Sequence, residues 1–466
     1  MRILITMCLL TPLLAMAQPD VSIRTDHEAL ARQMLADVIA MDTSVTGKET
    51  PRMAEYLIQH LREAGFGADS IMPIDLGKDG TSLVVRYKGK NPKRQSIGFM
   101  AHMDVVPALR KDWELDPFVL TETDGYFIGR GTADNKAGVV SLVVAFMKLK
   151  KAGYQPERDL ILVLTSDEET GMVSIKHIAN NMADDLNMEY AINADALSGV
   201  LAPDGSVFGY YVQGAEKGYR SYRLTVTNPG GHSSAPRPDN AIYQLAHALI
   251  KVQNFRFPTM INEISEGMLR SVASRSDRAT ADAINQLLEN PMSLAAADKV
   301  VSNPLISTAI RTTCVATMLE AGHAENALPQ SASAVVNCRI MPAMHPGEVE
   351  RLLKTVINDD DIQIESMAED NIGPASPMRE DVMSAIAGAL VEYPGVELIP
   401  FMASYGTDGK EFRIVGIPVY GSSGMFMDPR EAFAHGLNEK IPVEAFYKSL
   451  KYWDRLMRTL ASNPAI

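Results

Sequence analysis

The 466-residue sequence contains only three cysteines, and one of them, Cys8, sits in the opening apolar stretch. The remainder has Cys314 and Cys338 alone, which excludes a disulfide-dense scaffold. One bridge between them, if their strands pair face to face, and two buried free thiols both stay open. Clusters of basic residues are also missing: 44 Lys and Arg stand against 57 Asp and Glu, for a net charge of −13. That balance leaves no electrostatic footprint for nucleic acid and favours solubility. No apolar run reaches the ~20 residues needed to cross a bilayer. The stretch from Ile3 to Leu14 follows Arg2 and leads into Ala15-Met16-Ala17, the pattern of a cleavable export signal. The expectation is a periplasmic or secreted protein starting at Gln18, with no stable membrane span.

What is present is enough apolar sequence, 46% against 22% charged, to build a sizeable core divided between two domains. Helices are predicted from His27 to Ile39 and from Pro51 to Ala64, with Pro51 in a first turn and Gly65 as a stop. Short apolar runs at residues 82–87, 97–101, 160–165 and 190–194, with a long apolar helix from Ala137 to Lys150, indicate an α/β fold with a largely parallel sheet. From Gly209 the order becomes strand 219–227, helix 241–252, strands 311–319 and 332–340, helix 347–357 and strand 362–367. That β-α-β-β-α-β order is the ferredoxin-like pattern. The α/β pattern resumes with a helix at 379–392, strands at 397–403 and 417–420, and a final helix at 443–460. The chain therefore divides into a signal (1–17), a first part of a large α/β domain (18–208), an inserted α+β domain (209–372) and a second part of the large domain (373–466). Residues 254–307 form an extra segment inside the insertion, with no chemistry assigned.

Candidate chemistry lies where apolar strands stop. Phe99-Met100-Ala101 runs into His102-Met103-Asp104, and alternate residues of a strand share a face. His102 and Asp104 can thus project together, the carboxylate receiving the second N–H of a metal-bound imidazole. The glycine-rich run Gly129 to Gly138 carries Asp134 into a helix, a position that also suits an ordinary N-cap. Leu160 to Thr165 is followed by Asp167-Glu168-Glu169, three acids that are costly at the end of a buried strand unless solvated or bound to cations. Tyr190 to Ala194 ends in Asp195, and His435 follows far downstream in Ala434-His435-Gly436. Strand ends on one parallel sheet converge where open α/β sheets bind ligands. Two imidazoles and three carboxylates suit zinc, and also cobalt or manganese. With Asp134 shared, each of two metals receives one histidine and one further carboxylate, a site fit for amide hydrolysis.

At this point the sequence closely resembles the zinc metallopeptidase family of carboxypeptidase G, aminoacylase-1, bacterial dipeptidases and succinyl-diaminopimelate desuccinylase. The resemblance rests on AHMDVVP (101–107), GRGTADNKAG (129–138), SDEETG (166–171), GGHSSAP (230–236) and AHGLNEKIPVE (434–444), in that order. It implies a zinc-exopeptidase-like, mostly parallel sheet with helices on both faces, interrupted by a ferredoxin-like lid or dimerisation domain. It implies two Zn2+ per chain, with His102 and Asp195 on one, Glu169 and His435 on the other, and Asp134 between them. Glu168 becomes the general base, Asp104 orients His102, and the Asp134–Asn135 peptide is cis. His232 is assigned to the substrate oxyanion, in many relatives from a neighbouring subunit of a homodimer. Asn326, Arg339 and backbone groups around Ser423 and Gly424 are assigned to substrate binding, Arg339 gripping a carboxylate with its planar fork.

Within the family, HMDVVPA, Trp113, the insertion and RTTCVATMLEAG followed by ENALPQ most resemble the carboxypeptidase S and N-acyl-amino-acid hydrolase branch. The expected substrate is a peptide or an N-acyl amino acid with a free carboxylate. An aminopeptidase or dipeptidase reading a free amine is the alternative enzyme. A metal-binding protein without catalysis is the alternative class, against which Glu168 beside five ligands argues.

Overall fold

In the computed structural model the described residues are 24–301, 306, 309–342, 344–367 and 372–462. The expected signal, residues 1–17, lies outside them. Among the described residues no helix is long and apolar enough to cross a membrane.

The strands Ser96–His102 and Leu160–Thr165 are buried at every position, as strands covered on both faces must be. They pair in parallel, and Ser96–His102 also pairs in parallel with Met188–Asn193, which in turn pairs with Val419–Gly421. This parallel centre lies within a ten-stranded sheet whose margins turn antiparallel, at Ile71–Asp75 with Thr81–Tyr87 on one side and at Val207–Glu216 on the other. Side chains alternate across it. Phe99, Leu162 and Ile192 join Leu35, Val143 and Trp453 of the helices Asp26–Ile39, Lys136–Lys151 and Val443–Ser462 in one core. Met100, Val163 and Ala191 join Ile175, Ile178 and Phe412 of the helices Val173–Leu186 and Gly409–Ile414 on the other face. Helices on both faces leave the strand ends as the open edge, so the loops that follow the parallel strands share one rim.

A second, four-stranded antiparallel sheet runs in the order Thr313–Ala321, Ser331–Ile340, Gly218–Thr227, Gln363–Ser366. The helices Ala241–Asn254 and Pro346–Ile357 cover one face of it through Leu245 and Leu353, packed on Leu224 and Val336. The chain crosses between sheets at Lys217, so residues 209–216 run in the large sheet rather than opening the small one. The bare Cα of Gly209 admits a neighbouring strand, since a Cβ there would lie 2.7 Å from Ile399 Cδ1.

The described residues of the extra segment include the short helices Glu263–Arg275, Arg278–Glu289 and Leu294–Val300, whose N-caps Asn262, Asp277 and Ser293 each accept a backbone N–H. Leu269, Ile284, Leu287 and Val300 give it a core of its own. Its first helix lies against the large sheet, where Gly267 faces Pro400 so closely that a Cβ would come within 2.8 Å of the ring. Cys314 and Cys338 are direct cross-strand partners and form a disulfide, which decides between the two alternatives the sequence leaves open.

Candidate metal centre

Each ligand candidate arrives on the rim by a different route. His102 is the last residue of its strand; Glu168 and Glu169 follow Leu160–Thr165, and Asp195 follows Met188–Asn193. Asp134 stands before the helix Lys136–Lys151, joined to Asn135 by a cis peptide. His435 comes from a loop after the short helix Pro429–Ala432 and has φ 63°.

The Asp134 carboxylate divides its two oxygens between the two histidines: Oδ1 is 2.8 Å from His102 Nε2 and Oδ2 is 3.1 Å from His435 Nε2. Asp195 Oδ2 lies 3.9 Å from His102 Nε2, and Glu169 Oε1 lies 2.9 Å from His435 Nε2. Among the described residues three groups able to hold a metal result, each with ligand atoms within 4.8 Å of one another: His102–Asp134–Asp195 and Asp134–Glu169–His435, which share Asp134, and His102–Glu168–Glu169. The donor set of imidazole and carboxylate, without sulfur, fits a pair of divalent ions. Asp104 does more than the expected orienting of His102. Its backbone O is 3.0 Å from His102 Nδ1, with the carboxylate 3.5 Å away, while that carboxylate accepts the N–H groups of Glu168 (3.1 Å) and Glu169 (2.9 Å).

Residues 98–459 match the sequence profile of Peptidase family M20/M25/M40. The chain belongs to that family. It is similar to the N-fatty-acyl-amino acid synthase/hydrolase PM20D1 of Homo sapiens, 29% identical over 385 residues, covering 78% of this chain and 74% of the relative. It is also similar to the probable carboxypeptidase S-like 2 of Dictyostelium discoideum, 26% identical over 405 residues, covering 81% and 74%. Among solved structures, the M20 family metallo-carboxypeptidase Sso-CP2 from Sulfolobus solfataricus shares the fold, with a TM-score of 0.68 at 18% identity over 92% of this chain and 99% of that one. Human carnosine dipeptidase 1 does so with a TM-score of 0.65 at 18% identity over 94% and 98%. The chain is thus an enzyme, with the hydrolytic activity of M20 metallopeptidases and amidohydrolases.

Charge explains why the M20 site calls for cations. Burial and the Asp134 carboxylate push Asp195 up to about 7, while hydrogen bonds that His435 donates to Asp134 and Glu169 push it up to about 10. Burial opposes a charge on His102, yet Asp104 and Asp134 hold it well above the usual imidazole range. Protons thus balance the crowded carboxylates, and divalent ions would balance them more fully. Glu168 is raised well above the ordinary glutamate value, first by burial.

The other assigned residues lie elsewhere. His232 is exposed on the two-residue strand Gly231–His232, paired with Ala327–Leu328, and its Nδ1 accepts the Ser234 N–H. Asn326 is exposed beside it, its carbonyl accepting from Ser233 N. Arg339, on the small sheet, lays its guanidinium 5.0 Å over the Tyr219 ring. The N–H groups of Ser423 and Gly424 donate inward, to Ser198 Oγ (3.0 Å) and Tyr210 Oη (2.9 Å). Gly424 is glycine because Tyr452 leaves no room for a Cβ.

Several supporting residues were not legible. Asp167, first of the three acids, turns away to accept the N–H groups of Val173 and Ser174 at the start of the next helix. Asp195 N–H donates to Asn193 Oδ1, whose amide reaches Thr407 Oγ1, which donates to the buried Glu216. Asp408 is buried under the site and accepts from the Thr165 hydroxyl. The only signal for this loop is Gly406-Thr407-Asp408-Gly409, which reads as an ordinary helix start.

Proposed function

We propose that the chain is a two-zinc hydrolase of N-acyl amino acids and related C-terminal residues, cleaving the amide bond next to a free carboxylate. The observation that carries it is the division of one carboxylate, Asp134, between two histidines. His102, Asp134 and Asp195 would hold one ion, and Asp134, Glu169 and His435 the other. Bound there, the ions would lower the pKa of a water and polarise the scissile carbonyl. Glu168, anchored through its backbone by Asp104, would accept a proton from the attacking water and pass it to the leaving amine. His232, which stands apart from this metal group, would come from the neighbouring subunit of a homodimer and donate to the oxygen that becomes negative as the carbonyl is attacked. Arg339, on the small sheet, would grip the substrate carboxylate.

An acyl rather than an amine end is supported by apolar side chains on the ligand-bearing loops. Leu197 follows Asp195 by two positions, Phe433 and Leu437 flank His435 by two on either side, and all three are exposed. The relatives named for N-fatty-acyl amino acids favour the same reading. The test compares an N-acyl amino acid, its C-terminal amide and the corresponding free dipeptide. Turnover of the first with loss on the amide is the expected result; turnover of the dipeptide with none of the acylated form would refute it.

Two further features complete the proposal. The cross-strand disulfide suits an oxidising compartment and supports export with cleavage near Ala17. The edge strand Thr313–Ala321 exposes Val315, Met318 and Leu319, a row that favours a homodimer formed through the small sheet. Native mass measurement on exported protein should give a dimer of chains beginning at Gln18, and a monomer or an uncleaved chain would contradict the corresponding part.

A further inference from the structure

Glu439 is the most completely enclosed acid of the rim, its side chain 0% exposed, and no ligand group contains it. Its carboxylate is nevertheless fully engaged. Oε1 accepts the backbone N–H groups of Ala133 (2.7 Å) and Asp134 (3.0 Å). Oε2 accepts Arg130 Nη1 (2.5 Å) and the N–H of Gly131 (3.2 Å). Arg130 then reaches back to the carbonyl of Gly436 at 3.1 Å, the residue after His435. The backbone of Glu439 adds to the same seam, its carbonyl accepting Gly129 N–H and the Thr132 hydroxyl. The indole of Trp113, from the loop that follows the His102 strand, covers Arg130 with the guanidinium 5.1 Å from its ring.

These contacts extend the antiparallel pairing of Lys440–Pro442 with Tyr126–Ile128 into two loops, one carrying Asp134 and the other His435. Glu439 also places a second negative charge against Asp134, an arrangement that burial makes costly unless the Arg130 fork and the backbone dipoles answer it. We infer that Glu439, clamped by Arg130, is a positioning residue that holds the Asp134 carboxylate toward His435 and so sets the affinity of the ion pair site. This rests on the two-metal reading above.

The test is zinc titration of the metal-stripped full chain by calorimetry, with unfolding temperature measured on the same samples. Glu439→Gln keeps the shape but puts an amide N–H2 where acceptors are needed, and the expected result is weakening of at least one zinc equivalent by ~10- to 100-fold, as for other residues that orient ligands. Arg130→Lys keeps the charge, loses the fork to Gly436, and should weaken zinc in the same direction by less; it carries the test if Glu439→Gln does not fold. The control is Glu189→Gln. Glu189 sits between Arg158 (2.5 Å) and Arg379 (2.6 Å) near the start of the strand that leads to Asp195, at the far end from the rim. It should lower the unfolding temperature and leave zinc affinity unchanged. Wild-type zinc affinity in Glu439→Gln, or in Arg130→Lys where that variant alone folds, overturns the inference alone. No zinc uptake by the unsubstituted protein overturns the two-metal reading and the inference with it.

Discussion

Glu168→Gln is expected to lower kcat by ~10²- to 10⁴-fold, the usual contribution of a positioned general base, while leaving KM within a few-fold. Glutamine preserves the side-chain volume and the backbone N–H bond to Asp104, so binding geometry has no reason to change. It cannot accept the proton. The variant should also unfold no earlier than the parent when both are metal-free. In the parent Glu168 is buried, with Asp195, Asp408 and Glu169 adding negative charge around it, and a neutral amide removes that repulsion. Loss of turnover with undiminished stability separates a chemical role from a structural one, as expected where a site carries strain for the sake of function. Turnover within a few-fold of the parent would remove Glu168 from the mechanism.

Much of this site could be read before the fold was known, for a physical reason. His102, Glu168, Glu169 and Asp195 each interrupt or follow an apolar strand buried on both faces, and a charged group there is conspicuous against its neighbours. The strands and helices around them were legible on the same ground, since their apolar periods are long and unbroken. The less legible parts depend on contacts distant in sequence. Glu439 meets Arg130 across 309 positions, and Thr407 meets Glu216 across 191. No local pattern records such meetings. The point where the chain leaves the large sheet, at Lys217 rather than Gly209, depends on the pairing of residues 210–216 with Leu398–Ala403, far along the chain. Which way the backbone N–H groups of Ser423 and Gly424 point likewise depends on Ser198 and Tyr210, supplied by other elements.

Removal of metal is the second large effect. A strong chelator should abolish turnover, and zinc, cobalt or manganese should restore it; elemental analysis of the active protein should find two ions per chain, zinc in the native case. Activity that survives complete stripping would end the two-metal reading. The stripped protein should remain folded, because protons on the histidines partly balance the carboxylates. The direction with pH follows from His435, raised from 6.5 to about 10 in the metal-free protein. A raised base stabilises the folded metal-free form fully below pH 6.5, and that contribution disappears as pH rises through about 10. Metal needs the neutral imidazole, so zinc uptake at neutral pH should release protons and tighten as pH rises. Zinc at ~100 times its Kd should stabilise the fold by about 2.7 kcal/mol for each site filled, measured as a rise in unfolding temperature.

The lateness of His435 has a consequence for how the enzyme is made. Its partner Glu169 lies 266 positions earlier, so a chain released before residue 435 contains the acids and His102 but no means of closing the second half of the centre. A growing or partly translocated chain can offer a metal only an incomplete set of ligands. Completion of the centre therefore coincides with docking of the last elements of the large sheet and its final helix. For a chain exported unfolded, as proposed above, capture of the ions would fall to the compartment where residue 435 emerges.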